Sequence, residues 1–166
     1  MILVADAAPL IFLAKINRLK FLAGMFNAEI LVPAAVSEEI LGPEVPPDEE
    51  RLLSAFLSNC KVVKLRNPTR YAGALSFADN CILTLASKKM ANIILSDDRL
   101  LRKTAVIEGF RVIGTLGILL RACKKSILTA GETKGLLAEL VEEHNFRIST
   151  SVYEAARKAI SSMVDT

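Results

Sequence analysis

The sequence predicts an α/β fold: a three-layer α/β/α sandwich around a mainly parallel central sheet. Two observations carry this expectation. First, short apolar runs at residues 2–5, 29–32, 61–65, 92–95 and 110–113 alternate with longer stretches of helical spacing. That alternation is the pattern of strand–helix–strand units with parallel strands. Second, the chain is 52% hydrophobic but only 5% aromatic, with no Trp. Aliphatic richness of this kind suits a sheet buried on both faces by helices, and it excludes a disordered chain. At 166 residues there is one domain's worth of sequence, enough to bury a core.

Each element has its own signal. "ILVA" at 2–5 reads as a buried strand, and "APLIFLAKI" after it has helical spacing through Leu10, Leu13 and Ala14. "RLKFLAGMF" is a second helical piece. "EILV" at 29–32 is a strand, and Pro33 opens the helix "PAAVSEEIL", since Pro is tolerated in a first helical turn. Three prolines and a glycine make residues 42–48 a loop. "EERLLSAFLS" is an amphipathic helix and residues 61–65 a strand. Residues 66–75 form a polar, basic loop. "SFADNCILTLASKKM" is a strong helix with its start signal at Ser76. "NIIL" is a strand, "DRLLRKTAVIEG" a helix ending at Gly109, "FRVI" a strand and residues 114–125 a helix. From Thr129 two amphipathic helices follow, joined near 144–149, with Leu136, Leu137, Leu140 and Val141 on an apolar face. Residues 1–125 therefore read as the main domain and 126–166 as a C-terminal helical extension packed on it. Met25, Phe26, Phe56, Phe77 and Phe110 fall in apolar patterns and read as core or dimer surface.

Composition narrows the function. The net charge of +3 permits nucleic-acid binding without demanding it. Cys60, Cys81 and Cys123 are dispersed and His144 is the only histidine, which argues against a Cys/His zinc site and for a reducing, cytoplasmic compartment. The apolar N-terminus lacks a basic leader and contains Asp6 and Pro9, so it reads as core strand and helix, not as a signal peptide. No apolar run reaches the roughly 18 residues of a membrane span.

Acids concentrate at strand ends and helix starts. Asp6 follows the first strand, and Asp97 and Asp98 follow the strand at 92–95. Glu38 and Glu39 lie in the turns after Pro33, and Asp79 lies in the first turn after Ser76. In a parallel α/β sheet these positions share the carboxyl edge, where ligands bind. Clustered carboxylates repel unless neutralised, and a hard cation such as Mg²⁺ suits an all-oxygen donor set. Each acid also has a purely structural reading. Asp6 and Asp97 suit helix caps, Glu38 and Glu39 favour a helix start, and "SFAD" matches a capping box between Ser76 and Asp79. Neither a phosphate-binding glycine loop nor a nucleophilic triad is present. A phosphate-accepting receiver module pairs its acids after the first strand, whereas here the pair comes late.

The segments "LVADAAPLIFLAKI", "VPAAVSEEI", "SFADNCILTLA" and "ILSDDRLLRKTA", in that order, resemble the four acidic motifs of PIN-domain nucleases. "GFRVIGTLGILLRACKK" resembles the tail of one prokaryotic branch, common in archaea. Position by position, the resemblance implies that Asp6, Glu39, Asp79 and Asp98 are catalytic, with Asp6, Asp79 and Asp98 as Mg²⁺ or Mn²⁺ ligands. Asp97 is an adjacent further ligand, or caps the helix beside it. Ser96 matches a position that often carries a hydroxyl. Asn80, next to Asp79, reads either as a supporting polar group or as an exposed helix residue. The branch often has a glycine-rich turn and glutamate where this chain has "SFAD", so the third ligand departs from the pattern. The resemblance implies cleavage of single-stranded RNA, a homodimer, and in many members a toxin role opposite a small antitoxin. A catalytically weak RNA-binding or protein-interaction module is the alternative. For substrate contact the candidates are Arg99 and Arg70, drawn from a basic set that includes Arg102, Lys103, Lys64 and Arg66, with Tyr71 available to stack on a base.

Overall fold

The computed structural model describes residues 1–71 and 73–163. Ala72, within the basic loop, and residues 164–166, at the end of the last helical stretch, lie outside the described residues. The chain forms two compact units, Met1–Thr115 and Leu116–Thr166. The helix at 114–125, read from sequence as part of the main domain, falls almost wholly in the second unit.

The first unit alternates strand and helix in the expected order. Its elements are β1 (Ile2–Ala5), α1 (Ala7–Lys15), a 3-10 turn (Leu19–Phe21), α2 (Leu22–Phe26), β2 (Glu29–Pro33), α3 (Ala34–Ile40), α4 (Pro47–Leu57), β3 (Lys61–Val63), α5 (Phe77–Lys89), β4 (Ile93–Leu95), α6 (Arg99–Ile107) and β5 (Arg111–Ile113). The five strands make one sheet in the order β3-β2-β1-β4-β5. All four pairings are parallel, with Ala5 opposite Leu95 and Leu95 opposite Ile113. This is the α/β/α architecture the sequence predicts. Right-handed crossovers put the helices before β3 on one face and α5 and α6 on the other.

Burial explains why such short strands hold. In the central strands β1 and β4, Leu3, Val4, Ala5, Ile93, Ile94 and Leu95 are fully buried. The edge strands carry exposed Lys61 and Arg111, which discourages pairing with another chain. The direction of winding reverses between β1 and β4, which makes their carboxyl ends the switch point of the sheet.

Two prolines act differently from expectation. Pro33 is the last residue of β2 and sits at the cap position of α3, not inside its first turn. Pro47, read as loop, is the first residue of α4, where a missing N–H costs nothing. The expected stop at Gly109 is correct: its φ of 88° lies in the left-handed region that only glycine enters freely.

After Thr115, the last residue of the first unit and the first of α7 (Thr115–Lys124), the second unit holds the rest of that helix, α8 (Ala130–Glu143) and α9 (Thr150–Ser162). A capping box starts α8. Thr129 Oγ1 accepts from the Glu132 amide at 3.1 Å, and Glu132 Oε2 accepts from the Thr129 amide at 2.8 Å. Leu136, Leu137 and Leu140 are buried and α8 packs on α9. Among the described residues no helix is long and apolar enough to cross a membrane.

Candidate active site

The residues that leave the switch point do so side by side. The Asp6 amide donates to the Leu95 carbonyl at 2.9 Å and the Ser96 amide to the Ile113 carbonyl at 3.1 Å, so the sheet ladder continues one residue beyond each strand. Asp6 is the N-cap of α1, with Oδ1 accepting from the Ala7 amide at 2.7 Å. Its Oδ2 accepts from Ser96 Oγ at 2.8 Å. Ser96 is fully buried, and its Oγ in turn accepts from the Asp98 amide at 3.0 Å. One hydroxyl thus fixes both the first acid and the backbone that presents the last.

Asp98 caps α6 through Oδ1, which accepts from the Leu101 amide at 2.7 Å. Asp79 completes the expected capping box: Ser76 Oγ accepts from its amide at 3.1 Å, and its Oδ2 accepts from the Ser76 amide at 2.9 Å. Glu39 lies in α3, a helix of about two turns, and is exposed. These four acids line one pocket of about 250 Å³, whose other walls are Ala7, Ala8, Ser76 and Ala78. No Lys, Arg or His is among those eight residues, and no described ion pair engages any of the four acids.

The electrostatic consequence falls on the most buried member. Asp6 is only 9% exposed. Burial first, then the charges of Asp79 and Glu39, push its carboxyl up from 3.8 to about 6, against the opposing hydrogen bonds from Ser96 and Ala7. A cation in the pocket reverses that penalty. The donor set, all carboxylate oxygen, fits a hard divalent ion and not a thiophilic one.

The chain matches the family described as "DUF3368: PIN domain" over residues 2–162. It belongs to this PIN-domain family. PIN domains are generally nucleases and typically use divalent metals. Two solved structures are similar. One is a domain of a functionally unknown protein from Methanocaldococcus jannaschii DSM 2661, at 23% identity and a TM-score of 0.47, covering 68% of this chain and 89% of that one. The other is a PilT N-terminus domain protein from the hyperthermophilic archaeon Sulfolobus solfataricus P2, at 14% identity and a TM-score of 0.49, covering 89% of this chain and 100% of that one. No curated protein matches.

Within the PIN domain, the expected roles of the acid pair are corrected. Asp98, not Asp97, caps the helix starting at Arg99, and it does so while lining the pocket. Asp97 is not on the pocket wall. Its Oδ1 accepts from the Thr115 amide at 2.8 Å and its Oδ2 accepts from Thr115 Oγ1, so both oxygens are spent on the start of α7. Arg102 reinforces that corner by donating to the Ser96 carbonyl at 2.9 Å. Thr115 and Arg102 were not singled out from sequence for this role. The signal was the pairing of an extra acid with a "GT" two elements later.

Asn80 is not the exposed helix residue that its position in α5 allowed. It is buried, its Oδ1 accepts from the Tyr71 amide at 3.0 Å and its Nδ2 donates to the Ser76 carbonyl at 3.1 Å. One turn on, Thr84 Oγ1 accepts from the Thr69 amide at 2.9 Å. The two side chains strap the end of the basic loop along α5. Arg70, inside that strap, and Arg99, next to Asp98, are both exposed. Of the apolar residues read as core or dimer surface, Met25 and Phe26 are buried and Phe77 is 56% exposed.

Two further features lie elsewhere. An apolar cavity of about 460 Å³, lined by Leu19, Ile30, Phe56 and Cys60 among others, opens near the amino ends of β2 and β3. Burial pushes the Cys60 thiol up to about 11, so it is no nucleophile at neutral pH. In the second unit, Glu139, Glu143 and His144 bring donor atoms within 4.8 Å of one another. His144 Nε2 lies 3.3 Å from Glu139 Oε1 there, an ion pair when the ring is protonated.

Proposed function

We propose that the four-acid pocket is the active site of a ribonuclease that cleaves single-stranded RNA with the help of Mg²⁺ or Mn²⁺. The supporting observation is the convergence of Asp6, Glu39, Asp79 and Asp98 on one pocket without a basic residue among its walls, in a PIN domain. Asp6, Asp79 and Asp98 would hold the ion. A divalent ion bound there supplies an activated water and stabilises negative charge developing on a phosphate. Glu39, exposed on the pocket wall, would ligate the ion or orient the attacking water. Ser96 keeps Asp6 aimed into the pocket, and the caps formed by Asp6, Asp79 and Asp98 lock each carboxylate to a helix start. Catalytic groups held on rigid elements in this way lose little entropy on binding substrate. Arg99, next to Asp98, and Arg70, in the basic loop, are exposed and would supply cations for the phosphate backbone.

The resemblance to ribonuclease toxins extends the proposal to a cytoplasmic toxin of a toxin–antitoxin pair, acting as a homodimer. A reading frame for a small antitoxin beside the gene would support that role. The core of the reading is tested by incubating a single-stranded RNA with wild type in Mg²⁺, with wild type in EDTA, and with Asp6→Asn in Mg²⁺. Cleavage is expected in the first reaction alone. Equal cleavage by wild type and Asp6→Asn in clean preparations overturns it.

A further inference from the structure

Phe77 is the first residue of α5, and its chain neighbours Ser76 and Ala78 both line the acidic pocket. It is 56% exposed, the only exposed one of the seven phenylalanines. Nothing in the start of the helix requires that ring. The capping box of Ser76 and Asp79 already satisfies the first turn, and the preceding apolar residue, Leu75, is the one that buries. Other exposed apolar side chains, such as Met90, Val106 and Ile107, do not adjoin pocket residues. Phe77 does, and it does so on the side of α5 where the basic loop is strapped. On a helix, positions 77, 80 and 84 lie within about 60° of one another, and Asn80 and Thr84 hold the backbone of Tyr71 and Thr69. An aromatic face, an exposed arginine segment and a carboxylate pocket therefore meet at one helix end. That is the combination of stacking platform and backbone cation by which unpaired nucleotides are held.

We propose that Phe77 is the stacking platform for an unpaired base of the RNA next to the cleaved phosphodiester. This inference rests on the ribonuclease reading of the pocket. It assigns selectivity for single strands to Phe77: a base already stacked in a duplex cannot cover the ring, and a strand without bases has nothing to place on it.

The chain has no Trp, so Phe77→Trp creates a lone fluorescent reporter at the site. Its emission is followed in EDTA, where binding is read without cleavage, against a single-stranded RNA of about ten nucleotides, an abasic phosphodiester strand of equal length, and a duplex. The single strand is expected to quench the emission, and the abasic strand and duplex to leave it unchanged. In parallel, Phe77→Ala is expected to raise KM for the single strand about tenfold with kcat nearly unchanged, while Phe77→Tyr keeps the wild-type KM. An unaltered KM in Phe77→Ala overturns the proposal. So does quenching that follows protein concentration alone, which would assign the ring to a contact between copies. Because the fluorescence arm needs no turnover, a base-dependent signal stands even if the pocket proves inactive, and its loss beside intact cleavage condemns only the role of Phe77.

Discussion

Ser96 Oγ donates a 2.8 Å hydrogen bond to Asp6 Oδ2 across 90 residues of sequence, and accepts one from the Asp98 amide at 3.0 Å. The first and last acids of the site are thus two ends of one hydrogen-bonded bridge built on the neighbouring strands β1 and β4. Ser96→Ala removes the hydroxyl and leaves Oδ2 of the buried Asp6 without its donor, while Oδ1 keeps the Ala7 amide. Loss of about 1–3 kcal/mol in chemical denaturation is expected, together with about 10–100-fold weaker Mn²⁺ binding. Unchanged metal affinity would reduce Ser96 to a packing residue.

The raised carboxyl of Asp6 has a definite sign in stability. Its folded value, about 6, lies above the unfolded 3.8, so the folded state binds the proton more tightly. That contribution is fully present below pH 3.8 and is lost as pH rises through about 6. Metal-free protein should therefore lose about 3 kcal/mol from this group between those limits. Asp6→Asn, which cannot ionise, should flatten that part of the profile. Urea denaturation of both proteins in EDTA across this range checks it; parallel profiles contradict it.

Asp97 and Asp98 are adjacent but are expected to fail differently. Asp98→Asn keeps a capping oxygen and should lower metal affinity and cleavage with little loss of stability. Asp97→Ala frees Thr115 of both its hydrogen bonds and should cost about 1–3 kcal/mol while the folded fraction still binds metal. Thermal melts beside metal titrations separate the two. The reverse pattern would return Asp97 to the pocket.

Gly114 closes the same corner. A Cβ there would stand 2.6 Å from Asp97 Oδ1 and 2.7 Å from Arg102 Nη1, closer than real side chains tolerate. Gly114→Ala is expected to destabilise by about 1–3 kcal/mol, more than Gly135→Ala, whose added methyl meets nothing within 4 Å. Equal melting temperatures for the two variants would contradict this.

Much of this was legible in the chain because the strands are short, aliphatic and fully buried, and because cap chemistry is local. Ser76 and Asp79 are three residues apart, and Thr129 and Glu132 likewise, so their capping boxes can be read from spacing. For Asp6, Asp79 and Asp98 the cap and the pocket wall turn out to be one arrangement, since a cap at the carboxyl edge of the sheet already faces the ligand site. What spacing does not show is the direction of a side chain once two acids are adjacent. Asp97 turns to Thr115 and Asp98 to the pocket because β4 ends at Leu95 and the chain bends over Ser96, a tertiary event. Phe77 shows the same limit: its apolar neighbours leave both core and dimer surface open, and the first position of α5 turns out to be exposed.

The most direct test of the central claim is a calorimetric titration of Mn²⁺ into wild type and Asp6→Asn near neutral pH. Saturable binding to the wild type and its loss in Asp6→Asn, with both proteins folded, is the predicted result. Absence of binding to the wild type at millimolar metal, or identical isotherms for the two proteins, would contradict a metal-dependent site at this pocket.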